Sequence, residues 1–255
     1  AFGLKMERLR AILDLIDKYF PDCQMINMDA TVTSIRLKSD EELQELYDRK
    51  VRHLYLGIES GLDDVLKFMR KEHTQDQAYK EIARIQRVGL IFDAHVMSGV
   101  AGKGRGQENA IALAEFLNKT QPDRIVNFSL FLHNQVALYE DIKSGAFIPA
   151  DEVENMEEER TLIELLKEGP DGHQMLYDGF NDFLELRVKG KVPKDAPRMI
   201  EKLTEAIEKY KDEPPIYAYV RGDCPDLSMC DGGRWLWEMD DSKLAQYNEK
   251  EKKLS

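Results

Sequence analysis

Four short apolar runs recur through the first 130 residues, and each follows a stretch with helical spacing. The runs are "QMINM" (24–28), "HLYLG" (53–57), "IFDAHVM" (91–97) and "RIVNFSL" (124–130). Before the first, "KMERLRAILDLIDKYF" (5–20) places Met6, Leu9, Ile12, Leu13 and Ile16 on one helical face. Ser39 with Glu42, and Thr74 with Gln77, form capping-box patterns that start two further helices. Gly89 marks the end of the second of these, and the spacing predicts two more helices over 62–70 and 107–118. Strands that alternate with helices in this way build a parallel sheet with right-handed crossovers. Their mostly apolar character is that of strands covered on both faces. Beyond Gly145 the rhythm stops, and "ADEVENMEEERTLIELLKEG" and "PRMIEKLTEAIEKYK" read as amphipathic helices. The tail from Glu213 is mixed and ends in the polar "KLAQYNEKEKKLS".

Composition narrows the partners. The 255 residues carry a net charge of −12, which opposes a nucleic-acid or anionic-membrane surface. No apolar run approaches the ~20 residues of a membrane span, and no signal peptide is visible. Three irregularly spaced cysteines suit a reducing cytoplasm. The chain opens "AFGLKMERLRAIL", without an initiator Met and almost directly in a helix, which reads as a sequence cut into mid-fold.

Ligands of parallel α/β folds sit at the carboxyl ends of the strands. Those ends carry Asp29-Ala30-Thr31, Glu59-Ser60, His95 followed by "SGVAGKG", and Asn127-Phe128-Ser129. Lys71, one helix past Glu59, is placed to reach back. Carboxylates for an ammonium, a lysine for a carboxylate and polar groups for hydroxyls complement an amino acid joined to a sugar. Each residue also has a plainer reading. Asp29 suits a loop or helix cap equally well, Lys71 a solvated surface and His95 a satisfied core position. Glu59 is harder to set aside, because an unpaired carboxylate among apolar neighbours costs several kcal/mol. "GKGRG" lacks the spacing of a phosphate loop and is read as a flexible loop. Arg221-Gly222-Asp223 is read as chance.

At these residues the sequence resembles the radical S-adenosylmethionine (SAM) superfamily, in particular its Fe–S oxidoreductase and oxygen-independent coproporphyrinogen oxidase-like branch. "LGIESGLDDVLKFMRKEHTQDQAYKEIARIQRVGL" is similar to that branch's fourth-strand block, and "HVMSGVAGKGRGQENAIALAEFL" to its fifth. "PDRIVNFSLFLHNQVALYEDIKSGAF" is similar to its sixth strand and exit. The resemblance implies a partial parallel (β/α) TIM-like barrel with about four strands present. It divides the chain into a truncated barrel core over 1–147 and a C-terminal helical extension and tail over 148–255.

The resemblance also implies the site. Asp29 accepts the methionyl ammonium of SAM. Glu59, with Ser60, sits at the cofactor-facing end of a strand and binds the ribose or the methionyl part. Lys71 falls where relatives hold the SAM carboxylate, and His95 occupies a polar fifth-strand position that is usually acidic. Phe128, Ser129 and Leu130 lie under the adenine. The family's chemistry needs a CxxxCxxC loop whose thiolates hold a 4Fe–4S cluster, so that SAM is cleaved to a 5′-deoxyadenosyl radical. Cys23, Cys224 and Cys230 do not form that motif. The chain therefore reads as a fragment of a radical SAM oxidoreductase, cytoplasmic and acting on a small-molecule or unknown substrate. The fragment is expected to be inactive alone, with neither cluster nor SAM tightly bound. The competing readings are a cofactor-free binding module on a degenerate barrel, and an ordinary TIM-barrel lyase using Lys71 or His95 as base. A cut barrel exposes strand 24–28, an edge expected to pair with a second copy or with "IYAYV" (216–220).

Overall fold

The computed structural model describes residues 2–133, 135–181 and 184–220. Its strands are β1 (Ile26–Ala30), β2 (Val51–Glu59), β3 (Ile91–Ser98), β4 (Arg124–Ser129), β5 (Leu132–His133), β6 (Met175–Asn181), β7 (Leu186–Val192) and β8 (Tyr219–Val220). Six of them form one sheet in the order β1-β2-β3-β4-β6-β7. The first five run parallel and β7 returns antiparallel to β6. The sheet does not close into a barrel.

The helices are α1 (Met6–Tyr19), α2 (Val32–Arg36), α3 (Asp40–Asp48), α4 (Asp63–Phe68), α5 (Gln75–Arg87), α6 (Gly106–Thr120), α7 (Ala137–Ser144), α8 (Glu152–Leu165) and α9 (Ala196–Tyr210). Both capping boxes form: the Ser39 hydroxyl accepts from the Glu42 amide, and that of Thr74 accepts from the Gln77 amide. Gly89 takes φ +90° just beyond α5, a conformation that favours glycine.

One face of the sheet is buried in the main core. Leu54, Leu56 and Ile58 of β2, Ala94 and Val96 of β3, and Ile125 of β4 are fully enclosed. Burying each large aliphatic side chain contributes about 1.5–3 kcal/mol. The other face differs from the two-sided burial that the apolar runs suggested. Asp29 and Phe128 are exposed there, and Tyr55, His95, Val126 and Phe180 are half-buried. Among the described residues, rings cover this face instead of a second layer. Tyr55 meets His95 at 5.5 Å between centroids, His95 meets Phe128 at 6.0 Å, and Phe128 stacks on Phe180 at 5.6 Å. The Arg187 guanidinium lies 4.4 Å over Phe180 and ends the row.

The sheet is larger than the expected four strands, because β6 and β7 join it from the segment read as helical extension. Their apolar positions are interrupted by Asp178, Gly179, Arg187 and Lys189, and this hides the strand pattern. Bidentate pairing of Arg187 with Asp178, at 2.7 and 2.8 Å, accounts for charge inside the pair of strands. Residues 216–220 do not cap β1. The Leu132 amide donates to the Ala218 carbonyl, β8 pairs with β5, and the Glu152 amide donates to the Ile216 carbonyl. The segment follows backbone partners beside β4 and α8, and β1 stays an edge among the described residues. Cys224, Cys230, the 221–223 tripeptide and the polar tail lie outside the described residues.

Gly61 lets the β2–α4 turn sit directly on α6. A β-carbon there would fall against the backbone of Ala112 and Leu113 and lie 2.8 Å from Ala112 Cβ. Backbone in mid-helix cannot yield as a side chain can. Gly61→Ala is therefore expected to lower stability by about 2–3 kcal/mol in urea denaturation. Gly3→Ala, whose added carbon meets only Ser34 Cβ at 3.9 Å, is expected to change it by less than about 0.5 kcal/mol. Equal effects of the two would contradict this packing.

Candidate functional site

Strand register places Asp29 beside Tyr55, Tyr55 beside Asp93, Gly57 beside His95, and Met97 beside Phe128. Because side chains alternate along a strand, Asp29, Tyr55, Gly57, His95 and Phe128 share the open face. Three features bring Glu59 to the same place. The register shifts between Gly57 and Glu59, Glu59 takes φ +63°, and the missing side chain at Gly57 leaves room above the strand. A β-carbon on Gly57 would collide with Glu59 Oε1 and lie 3.2 Å from Lys71 Nζ. The carboxylate and the ammonium thus lie together over the Gly57 backbone.

Lys71 returns to Glu59 because of how α4 ends. Arg70 adopts φ +56°, and the Lys71 amide donates to the Leu66 carbonyl, a left-handed helix stop. The Lys71 side chain then donates to Glu59 Oε1 at 2.9 Å, with both groups about three-quarters buried. His73 follows two residues later and is 7% exposed, and its Nε2 is buried without a hydrogen-bond partner. Burial, and after it the charge of Lys71, hold its imidazole below the ordinary 6.5.

Ser60 and Ser129 lie apart from this group. Ser60 is fully buried, and its hydroxyl donates to Asn109 Oδ1 at 2.6 Å. The Leu62 amide in turn donates to Ser60 Oγ at 3.1 Å. The Ser129 hydroxyl donates to Asn181 Oδ1 at 2.8 Å, with Glu152 Oε2 3.2 Å away as the alternative acceptor. Leu130 packs beside Leu132 and Tyr217. The structure therefore gathers Asp29, Glu59, Lys71, His95 and Phe128 on one face, and sends Ser60, Ser129 and Leu130 into packing. Two clefts, of about 540 and 570 Å³, lie elsewhere: one between α3 and α5, the other around Tyr19, Phe20 and Met25.

Sequence reasoning missed a second constellation beneath the sheet. Helix α8 buries Glu152, Glu158 and Glu159 against β3, β4 and β6. Asn109 Nδ2 donates to Glu158 Oε1 at 2.7 Å, and the Gly99 amide donates to its Oε2 at 2.9 Å. The Tyr177 hydroxyl donates to Glu159 Oε1 at 3.0 Å, and Asn181 Nδ2 to its Oε2 at 2.7 Å. Asn155 Nδ2 donates to Glu152 Oε1 at 2.9 Å. Burial pushes all three carboxyls up to about 7, partly offset by these donors. The signal was present: 152, 155, 156, 159 and 163 follow helical core spacing, with polar residues at three of the five positions.

The donor sets decide which groups the residues fit. An ammonium and a carboxylate held side by side complement the zwitterionic end of an amino acid, each exchanging partners with it. Among the described residues, no set of thiols fits a 4Fe–4S cluster. Cys23 is the one described cysteine, it precedes β1 at the end away from Asp29, and its thiol donates to the Met25 carbonyl.

No family model matches the chain. It is 31% identical over 101 residues to tRNA-2-methylthio-N(6)-dimethylallyladenosine synthase of Acinetobacter baumannii (strain AYE), covering 38% of this chain and 20% of that protein. It is 24% identical over 120 residues to tRNA uridine(34) acetyltransferase of Methanocaldococcus infernus, covering 47% and 22%. The chain thus spans about a fifth of the length of the curated relatives it matches. Among solved structures, Methanocaldococcus infernus Elp3 with an N-terminal deletion superposes with a TM-score of 0.53 at 18% identity, covering 73% of this chain and 42% of that one. Methylornithine synthase (PylB) superposes with a TM-score of 0.50 at 11% identity, covering 96% and 62%. These are radical SAM enzymes, and the chain resembles that superfamily in sequence and shares its TIM-like α/β fold.

Proposed function

We propose that this chain supplies the SAM-facing part of a radical SAM enzyme of the cytoplasm, with a small-molecule substrate. The observation that carries the reading is the Glu59–Lys71 pair above Gly57, at the carboxyl end of β2 and beside His95. In this reading Glu59 and Asp29 receive the methionyl ammonium and ribose hydroxyls, and Lys71 receives the carboxylate. His95 and Phe128 offer ring faces and edges to the adenosine. Bound SAM supplies an adenosyl group on a sulfonium centre. The residues here orient it and shield it from water, with the buried His73 within electrostatic reach of the pair. Both sequence relatives act on tRNA by name. A net charge of −12 repels a phosphate backbone, so RNA is left out of this assignment.

Without a metal contact to the cofactor, the polar pair alone supports weak binding, with Kd of about 1 mM. Titrating SAM into isotopically labelled chain is expected to shift the amides of Gly57, Glu59, Lys71 and His95 together and saturably. Glu59→Gln is expected to weaken binding about tenfold. Shifts confined to other surfaces, no saturable shifts, or an unchanged affinity in Glu59→Gln would overturn the assignment.

A further inference from the structure

At the opposite end of the same strands, His53 follows the start of β2, Asp93 follows the start of β3, and Asp123 immediately precedes β4. Each offers a ligand atom, and the three atoms lie within 4.8 Å of one another. We propose that His53, Asp93 and Asp123 bind a divalent transition-metal ion of the zinc class at the amino-terminal ends of β2, β3 and β4. The site lies on the same face as Tyr55 and His95 but at the other end of the strands from Glu59 and Lys71, and it does not depend on the cofactor reading.

A simple ion pair accounts for only part of the geometry. His53 Nδ1 lies 2.6 Å from Asp93 Oδ2, which satisfies one carboxylate oxygen. Asp93 is fully buried, and its other oxygen, Oδ1, has no hydrogen-bond partner. An orphaned buried acceptor destabilises the fold, and a cation removes that cost. Asp123 is held in place through its backbone. Its amide donates to the Phe92 carbonyl, and its carbonyl accepts from the Leu176 amide, so its exposed carboxylate projects from a fixed point between β3 and β6. One imidazole nitrogen and two carboxylate oxygens are ordinary zinc ligands at about 2.0–2.2 Å, and the exposed side leaves positions for water. Binding would replace the direct His53–Asp93 contact with bonds from both side chains to the ion. Arg124, opposite Asp93 in the register, is the opposing charge. That charge opposes any dication alike, so the preference for the zinc class over magnesium or calcium rests on the imidazole ligand.

The test is cobalt(II) titration of the full chain carrying Cys23→Ser, Cys224→Ser and Cys230→Ser, followed by visible absorption and zinc competition. One saturable site is expected, with Kd of about 10 µM or tighter and displaced by zinc. Asp123→Asn and His53→Gln are expected to weaken it at least about tenfold. Asp123 is exposed, so its variant leaves the core intact. The absence of saturable bands, or unchanged affinity in both variants, would overturn the proposal.

Discussion

Lowering the pH from about 8 to about 5 is expected to stabilise this protein by several kcal/mol, the reverse of ordinary acid sensitivity. The cause is the trio on α8. Glu152, Glu158 and Glu159 hold their carboxyls near 7 in the fold, against an ordinary 4.5. A group raised in this way favours folding most when it is protonated in both states, below about 4.5, and that contribution is lost as pH rises through about 7. Each carboxyl accounts for about 3 kcal/mol. The three repel one another, so their sum is an upper bound. Opposing groups shape the window. His73, held below 6.5, costs stability as pH falls past that value. Asp64 and Asp178, held below the ordinary carboxylate range by Arg105 and Arg187, withdraw support only at lower pH. Between about 4.5 and 7 the glutamates outnumber these effects. Urea denaturation at a series of pH values measures the slope. Glu159→Gln keeps an acceptor for Asn181, turns its amide NH2 to the Tyr177 oxygen, and should flatten the slope by about a third. A stability that is level, or that rises from about pH 5 to 7.5, would contradict the buried trio.

This trio also marks where the sequence stopped being legible. Hydrophobic period and capping chemistry located strands β1 to β4 and the helices between them, because each is declared locally by apolar spacing and by Ser39, Thr74 or Gly89. Lys71 reaches Glu59 as its position past α4 suggested. The lost information is of two kinds. Polar residues that face a core read as solvent-facing, and so the Glu-rich stretch of α8 passed simply as an amphipathic helix. Strands β6 and β7 were hidden in the same way by charges that pair across them. Direction is the other loss. Alternation would put Glu59 and Ser60 on opposite faces, but the distance between ligand-like residues in sequence says nothing of the bulge at Gly57–Glu59. Parity with Tyr55 and Gly57 already points Glu59 to the open face, while the bulge and its φ of +63° set the carboxylate over Gly57.

Asn109→Ala is expected to cost about 3–5 kcal/mol, because one side chain satisfies three groups that nothing else can reach. Asn109 is fully buried on α6. Its Oδ1 accepts from the Ser60 hydroxyl at 2.6 Å and from the Gly61 amide at 3.1 Å, while its Nδ2 donates to Glu158 at 2.7 Å. Truncation strands two donors at the end of β2 and removes a donor from a carboxylate already destabilised by burial. Ser60 and Gly61 directly follow Glu59, so the same change should loosen the bulge that holds the Glu59–Lys71 pair. Asn109→Asp separates the two roles. It retains the acceptor for Ser60 and Gly61 but sets a second carboxyl against Glu158, so its penalty should shrink on acidification while that of the alanine variant persists. Ile111→Ala, at an exposed position on the same helix, should cost less than about 0.5 kcal/mol. Urea denaturation at neutral pH, with the Glu59 and Lys71 amide signals followed in parallel, reads both effects. A penalty below about 1 kcal/mol for Asn109→Ala, or unaltered Glu59 and Lys71 signals, would show that the buried network does not support the open face.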